Sequence, residues 1–235
     1  MHSIYIAALI TTIFSIFIAG IIALKISKRK LRYLLNPGLI SLPGSYIAFN
    51  FVRTPIDNVV RLVFNISPLL KSLPLWYYFI VLSYAPIIEE LMKLTPLTIP
   101  FFRKNITKDN RIAAGMIIGL GFGIGEMWLI AIWLSRDASI ISYHWYQLGG
   151  YIFERIVSCF SHGVFTVVAI RGLGNKFIKY IIYAMGLHTL SNLPIILFNA
   201  GFIRLDKITF QNVMSIYLLV FVLGLGFILG KVIKK

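Results

Sequence analysis

Six stretches of this chain are apolar for long enough to cross a lipid bilayer: residues 3–24, 74–102, 112–135, 149–170, 180–203 and 212–230. About 30 Å of hydrocarbon takes about 20 helical residues. Backbone polar groups in lipid must be satisfied within the span, which admits helices and closed barrels. These runs are continuously apolar where barrel strands would alternate, so the expected fold is all-α, a polytopic transmembrane helix bundle. Composition agrees: 58% of residues are hydrophobic and 13% charged, with a mean hydropathy of +0.84, far from the balance of a soluble domain.

A weaker seventh span is expected near 37–52, interrupted by Pro43 and Gly44, and the stretch 54–72, with Asp57, Arg61 and Lys71, suits an interfacial helix. Seven spans with the N-terminus outside and the C-terminus cytoplasmic sort the cations. Lys25, Lys28, Arg29, Lys30, Arg32, Arg103, Lys104, Lys108, Arg111, Arg171, Lys176, Lys179, Lys231, Lys234 and Lys235 fall inside. Arg53, Arg61, Lys71, Arg136, Arg204 and Lys207 fall outside, six against fifteen. The net charge of +15 is therefore a topology signal, with attraction to the lipid bilayer as a by-product, and no basic domain exists to bind nucleic acid. The first span has no basic leader or cleavage pattern and is expected to be retained. The expectation is one integral membrane domain over 1–235, multi-pass in the cell membrane, of unknown oligomeric state. The single cysteine, Cys159, lies within a span and reads as a packing residue.

The acids divide by type. Asp57, Asp109, Asp137 and Asp206 fall outside the apolar spans, whereas Glu89, Glu90, Glu126 and Glu154 fall inside them, as do His162 and His188. An ionisable group in a span costs at least about 2.5 kcal/mol unless it is paired or hydrated, which makes it a functional candidate. Counting inward from the cytoplasmic boundaries at about 1.5 Å per residue puts Glu90, Glu126, His162 and His188 at depths of about 18, 21, 14 and 14 Å. Four helices thus bring titratable groups to one layer. Glu154, at about 25 Å, is expected outside it, with Arg155 as a structural partner.

Local spacing refines this. Lys93 lies four residues from Glu89 and three from Glu90 in APIIEELMK, so it can pair with either. Neighbours on a helix are about 100° apart, so one glutamate is expected to pair with Lys93 and the other to face a cavity. His188 and Asn192 share a helix face. The glycines of GLGFGIGE do not form a dinucleotide fingerprint. Gly115, Gly119 and Gly123 instead recur every four residues, as close helix packing requires. The aromatic clusters at 76–78 and 143–146, with His144, read as interface belts.

EELMK at 89–93 resembles the EExxK motif of PrsW-type intramembrane proteases, FGIGE at 122–126 their FxxxE motif, HTLSN at 188–192 their HxxxN motif, and SHGVFTVVAIRG at 161–172 their histidine-containing span. The chain is also similar to the related type II CAAX prenyl endopeptidases and, through ERIVSCFSH at 154–162, to the YhfC family. It departs from the CAAX pattern at Lys93 and Glu126. The resemblance covers about 84–194 and implies a catalytic core there, in an endopeptidase acting on a membrane protein or peptide substrate. It further implies that Glu89 or Glu90 activates water, helped by Glu126 or a histidine, while His188 and Asn192 stabilise the tetrahedral intermediate. No cofactor is required. Zinc is possible because two histidines and glutamates are a competent ligand set, although no H-E-x-x-H occurs. Blander alternatives stand beside each assignment: an ion-pair network for Glu89, Glu90 and Lys93, an interhelical hydrogen bond for Glu126, and packing histidines for His162 and His188. Two other functional classes remain, a proton- or ion-coupled transporter and a catalytically silent scaffold.

Overall fold

A computed structural model describes residues 2–26, 32–67, 73–174 and 176–233. The expectations for Lys28, Arg29, Lys30, Lys71, Lys234 and Lys235, and for the side chains of Arg32 and Lys207, lie outside the described residues. The helices are α1 (Ser3–Ile26), α2 (Arg32–Ser41), α3 (Gly44–Ile47), α4 (Thr54–Val63), α5 (Leu75–Lys93), α6 (Pro100–Asn105), α7 (Arg111–Leu134), α8 (Ala138–Ile141), α9 (Gly149–Arg171), α10 (Phe177–Asn199) and α11 (Lys207–Ile233). A π-helical turn, Ala48–Arg53, joins α3 to α4. Among the described residues there is no strand.

Five segments are long and apolar enough to cross a membrane: Ser3–Lys25, Arg111–Leu134, Trp145–Arg171, Phe177–Asn199 and Ile208–Ile233. α5 is 19 residues long but carries Glu89, Glu90 and Lys93 in its last turns. The run expected as one span over 74–102 is not one helix: α5 stops at Lys93, a 3-10 turn covers Thr95–Thr98, and α6 starts at Pro100. Pro96 and Pro100 withhold the backbone donors that a continuing helix needs, and Ile99, just before Pro100, is extended at φ −80° and ψ 116°, as the residue before a proline prefers. The weak span expected at 37–52 is likewise divided, with α2 ending at Ser41 and helix resuming at Gly44.

Outward-facing surfaces are apolar. Leu223, Phe227 and Ile216 on α11, Ile178 on α10 and Phe17 on α1 are all exposed, which in water would be an aggregation surface and in lipid is a solvated one. α4 is built inside out. Its Val59, Leu62 and Val63 are exposed, while its Asp57 carboxylate accepts hydrogen bonds from Tyr77 and Tyr84 of α5 and its Arg61 lies over the Tyr77 ring. A helix that turns polar groups toward protein and apolar groups outward suits a lipid boundary.

α7 is the central helix, packed on α1, α2 and α9. Its glycines set the distances. A Cβ at Gly115 would lie 2.7 Å from the Val167 Cα, one at Gly119 would strike the His162 carbonyl, and one at Gly123 would lie 2.9 Å from the Cys159 Cα. These pairings fall in reverse order along α9, so α7 and α9 are antiparallel with backbones in near contact. Gly121 and Gly125 do the same against the carbonyls of Gly38 and Leu42 on the opposite side. The glycine ladder thus serves two interfaces at once, where the four-residue spacing marks only the first.

The remaining contacts order the bundle. Tyr5 donates to Ser135 at 2.9 Å and Trp128 to Thr12 at 3.1 Å, pairing α1 with α7 antiparallel. Arg171 meets Tyr180 and Phe165 meets His188 between α9 and α10. Phe198 stacks on Phe210 and Tyr217 donates to the Leu190 carbonyl between α10 and α11. Lys25, Arg103, Arg111, Arg171, Lys176 and Lys231 consequently belong to one end of the bundle.

Candidate active site

Adjacent glutamates on α5 have different fates. The Glu90 carboxylate is buried and forms an ion pair with Lys93, one turn on, while its Oε1 lies 2.7 Å from His188 Nδ1 of α10. Lys93 has no exposed side-chain surface, and its ammonium lies 5.2 Å from the Phe122 ring centre and 5.5 Å from that of Phe165. A buried ammonium of this kind requires its carboxylate. Glu89, about 100° round the helix, instead accepts from Arg53 Nη1 at 2.7 Å and lies 3.5 Å from His188 Nε2.

The second carboxylate centre is on α7. Glu126 Oε2 lies 2.8 Å from His162 Nε2 of α9, and Glu126 Oε1 accepts from Arg155 Nη1 at 3.2 Å. Arg155 also pairs with Glu154, its neighbour in sequence. His162 and His188 meet edge to face with ring centres 5.1 Å apart, and Phe165 stacks on His188 at 5.3 Å. Aromatic packing therefore fixes both imidazole planes.

These groups surround a cavity of about 240 Å³, lined among others by Glu89, Glu126, His162, His188 and Asn192. Helices α5, α7, α9 and α10 each contribute. The layer expected from residue depth is thereby brought together, Asn192 included. Of the two neighbouring glutamates, of which one was expected to pair with Lys93 and the other to face a cavity, Glu90 is the one that Lys93 holds, behind His188, and Glu89 is the one that lines the cavity. Glu154 and Arg155, expected outside the layer, line the cavity, because Arg155 reaches from α9 to Glu126 on α7. Arg53 is the residue that sequence reasoning missed. It sits at the end of the π-helical turn, a backbone form that recurs at functional sites, and its only sequence signal was a cation beside an interrupted apolar run.

Glu89, His162 and His188 also offer three ligand atoms within 4.8 Å of one another. Tetrahedral zinc with ligands at about 2.1 Å needs separations of about 3.4 Å, close to the Glu89–His188 spacing. The residue types suit a transition metal. Glu90 on the far nitrogen of His188 supplies the carboxylate that orients metal-ligating histidines, and Glu126 Oε2 and His162 Nδ1 are buried without an aligned hydrogen-bond partner in the protein.

Chemically, the arrangement offers two carboxylates, each gripped by an arginine, linked by two imidazoles in contact. It can accept and return protons and polarise a carbonyl. Comparison with known proteins adds no relative: no family model matches the chain, no curated protein matches its sequence and no solved structure matches its fold.

Proposed function

We propose that this chain is an intramembrane endopeptidase that cleaves membrane-embedded or membrane-proximal peptide segments, in line with the resemblance of its motifs to the PrsW-type proteases. The observation that carries this reading is the polar cavity lined by Glu89, Glu126, His162, His188 and Asn192 within an otherwise apolar bundle. Peptide hydrolysis in lipid needs a space for water, a base and donors for the developing oxyanion. Glu89 takes the proton of the attacking water. Asn192 and, once protonated, His188 Nε2 face the oxyanion, and Glu90 with Lys93 fixes the ring that presents Nε2. Glu126, held by Arg155 and His162, receives the proton that Glu89 took from water, relayed across the cavity through His188 and His162, and returns it to the departing amine.

For topology, we read the α2–α4 segment and α5 as two further crossings, making seven, in the cell membrane with the N-terminus outside. The gathering of Lys25, Arg103, Arg111, Arg171, Lys176 and Lys231 at one end supports this, because cytoplasmic loops hold the excess of cations. Cysteines placed at Ile106 and Ile140 in a Cys159→Ala background should label from opposite sides, with 106 cytoplasmic. Cytoplasmic labelling of 140 refutes the orientation.

The functional test is cleavage of peptide segments in liposomes by the purified protein. Products should appear with the native chain and not with Glu89→Gln. Equal cleavage by both rules out water activation by Glu89. The convergence of Glu89, His162 and His188 supports a second version of the same hydrolase, in which these three would hold a zinc ion and the ion would supply Lewis-acid polarisation of the carbonyl. Metal content of the purified protein, and cleavage before and after chelation, separate the two versions.

A further inference from the structure

Far from the cavity, the basic end of the bundle carries a pocket that the hydrolase reading leaves unused. It is an open depression of about 420 Å³ lined by Arg111, Arg171, Lys176, Tyr180 and the turn at Gly172–Gly174. Three helix ends supply its cations: Arg111 opens α7, Arg171 closes α9 and Lys176 immediately precedes α10. The pocket is braced, since Arg111 Nη1 donates to the Arg171 carbonyl at 3.3 Å and the Arg171 guanidinium lies 5.9 Å over the Tyr180 ring.

Charge balance sets this end apart. Arg53, Lys93 and Arg155 each have a glutamate partner. Among the described residues, none of Arg111, Arg171 and Lys176 has a carboxylate partner. Three cations around one space repel unless an anion sits between them, and guanidinium pairs favour phosphate oxygens through forked hydrogen bonds.

The neighbouring surface says which phosphate. Through Arg171 and Tyr180 the basic pocket opens into an apolar cleft of about 470 Å³ between α9, α10 and α11, lined by Val168, Leu187, Leu190, Ile228 and Val232. Through Leu173 and Gly174 it adjoins a second apolar cleft of about 540 Å³ that includes Leu94, Leu97 and Ile181, with Arg103 at its edge. A cationic pocket between two apolar clefts matches an amphiphile with a phosphate head and hydrocarbon tails, the arrangement by which basic pockets between membrane helices hold anionic lipids. We propose that this pocket binds the phosphate headgroup of an anionic phospholipid on Arg111, Arg171 and Lys176, with one acyl chain in the α9–α10–α11 cleft.

The test uses the full chain in neutral detergent with three probes: phosphatidylglycerol, phosphatidylcholine and inorganic phosphate. Native mass spectrometry counts retained lipid, and thermal unfolding reads protection. Two variants divide the site. Arg111→Gln/Arg171→Gln removes the headgroup contacts. Gly186→Leu fills the acyl cleft from a position where an added Cβ meets nothing within 4 Å, so the bundle should tolerate it. The expected result is preferential retention of phosphatidylglycerol over phosphatidylcholine, weakened about tenfold or more in both variants, while inorganic phosphate protects only weakly. Equal retention of the two lipids overturns the proposal. So does equal protection by inorganic phosphate together with unchanged lipid retention in Gly186→Leu, which would mark a site for the free ion. If the double variant does not fold, the lipid preference of Gly186→Leu alone decides.

Discussion

Replacing Glu89 and Glu90 separately by glutamine should split stability from catalysis. Glu90 balances Lys93, whose side chain is wholly buried and has no second carboxylate partner among the described residues, and it also holds His188 Nδ1 at 2.7 Å. Glutamine keeps an acceptor but removes the charge, and an uncompensated buried charge costs about 3–5 kcal/mol. At about 2–4 °C per kcal/mol for a chain of this size, the Tm of Glu90→Gln should fall by about 6–20 °C. Glu89 faces Arg53, whose side chain keeps 16% exposure and lies 4.0 Å from the Phe49 ring centre. Arg53 therefore has other stabilisation, and Glu89→Gln loses only the charged part of one hydrogen bond, about 1–2 kcal/mol. Its cleavage rate should instead fall by about 10²–10⁴-fold, the usual contribution of a general base. Thermal unfolding in detergent and peptide cleavage in liposomes give the two readouts. Adding Lys93→Met to Glu90→Gln removes the stranded charge and should recover most of the lost Tm. If Glu90→Gln kept native stability and lost cleavage while Glu89→Gln kept both, the roles assigned to the two glutamates would be reversed.

Glu126→Gln should fold, because Arg155 retains Glu154 as a partner, and its cleavage should fall by about 10²–10⁴-fold; native activity would return Glu126 to a purely interhelical role. Gly119→Ala should destabilise the bundle by about 1–3 kcal/mol, since the added Cβ strikes the His162 carbonyl, whereas Gly186→Ala should leave the Tm unchanged or slightly raised; similar behaviour of the two in thermal unfolding contradicts the packing described for α7 and α9. In the zinc version of the mechanism, His162→Ala should reduce the metal content of the purified protein, and an unchanged metal-free preparation with full activity would exclude that version.

The long apolar runs of α1, α7, α9, α10 and α11 were legible in the sequence because hydropathy over about 20 residues is a local property, and the helices begin and end within a few residues of those runs. That Glu126, His162 and His188 share one level of the bundle was legible for the same reason: a fixed rise per residue converts sequence position into height. Height says nothing about azimuth. Which of Glu89 and Glu90 faces the cavity was decided only when α10 packed against α5 and put His188 between them, since two neighbours 100° apart are equivalent until one side acquires a partner. The roles of Arg53 and Arg155 were hidden for a related reason. Each meets a carboxylate on another helix, Arg53 with Glu89 and Arg155 with Glu126, and no local spacing encodes a pairing across 36 or 29 residues. The glycines divide in the same way: the 115, 119 and 123 repeat announced one close interface, but the second face, Gly121 against α2 and Gly125 against Leu42 just beyond it, exists only because α7 is enclosed on both sides.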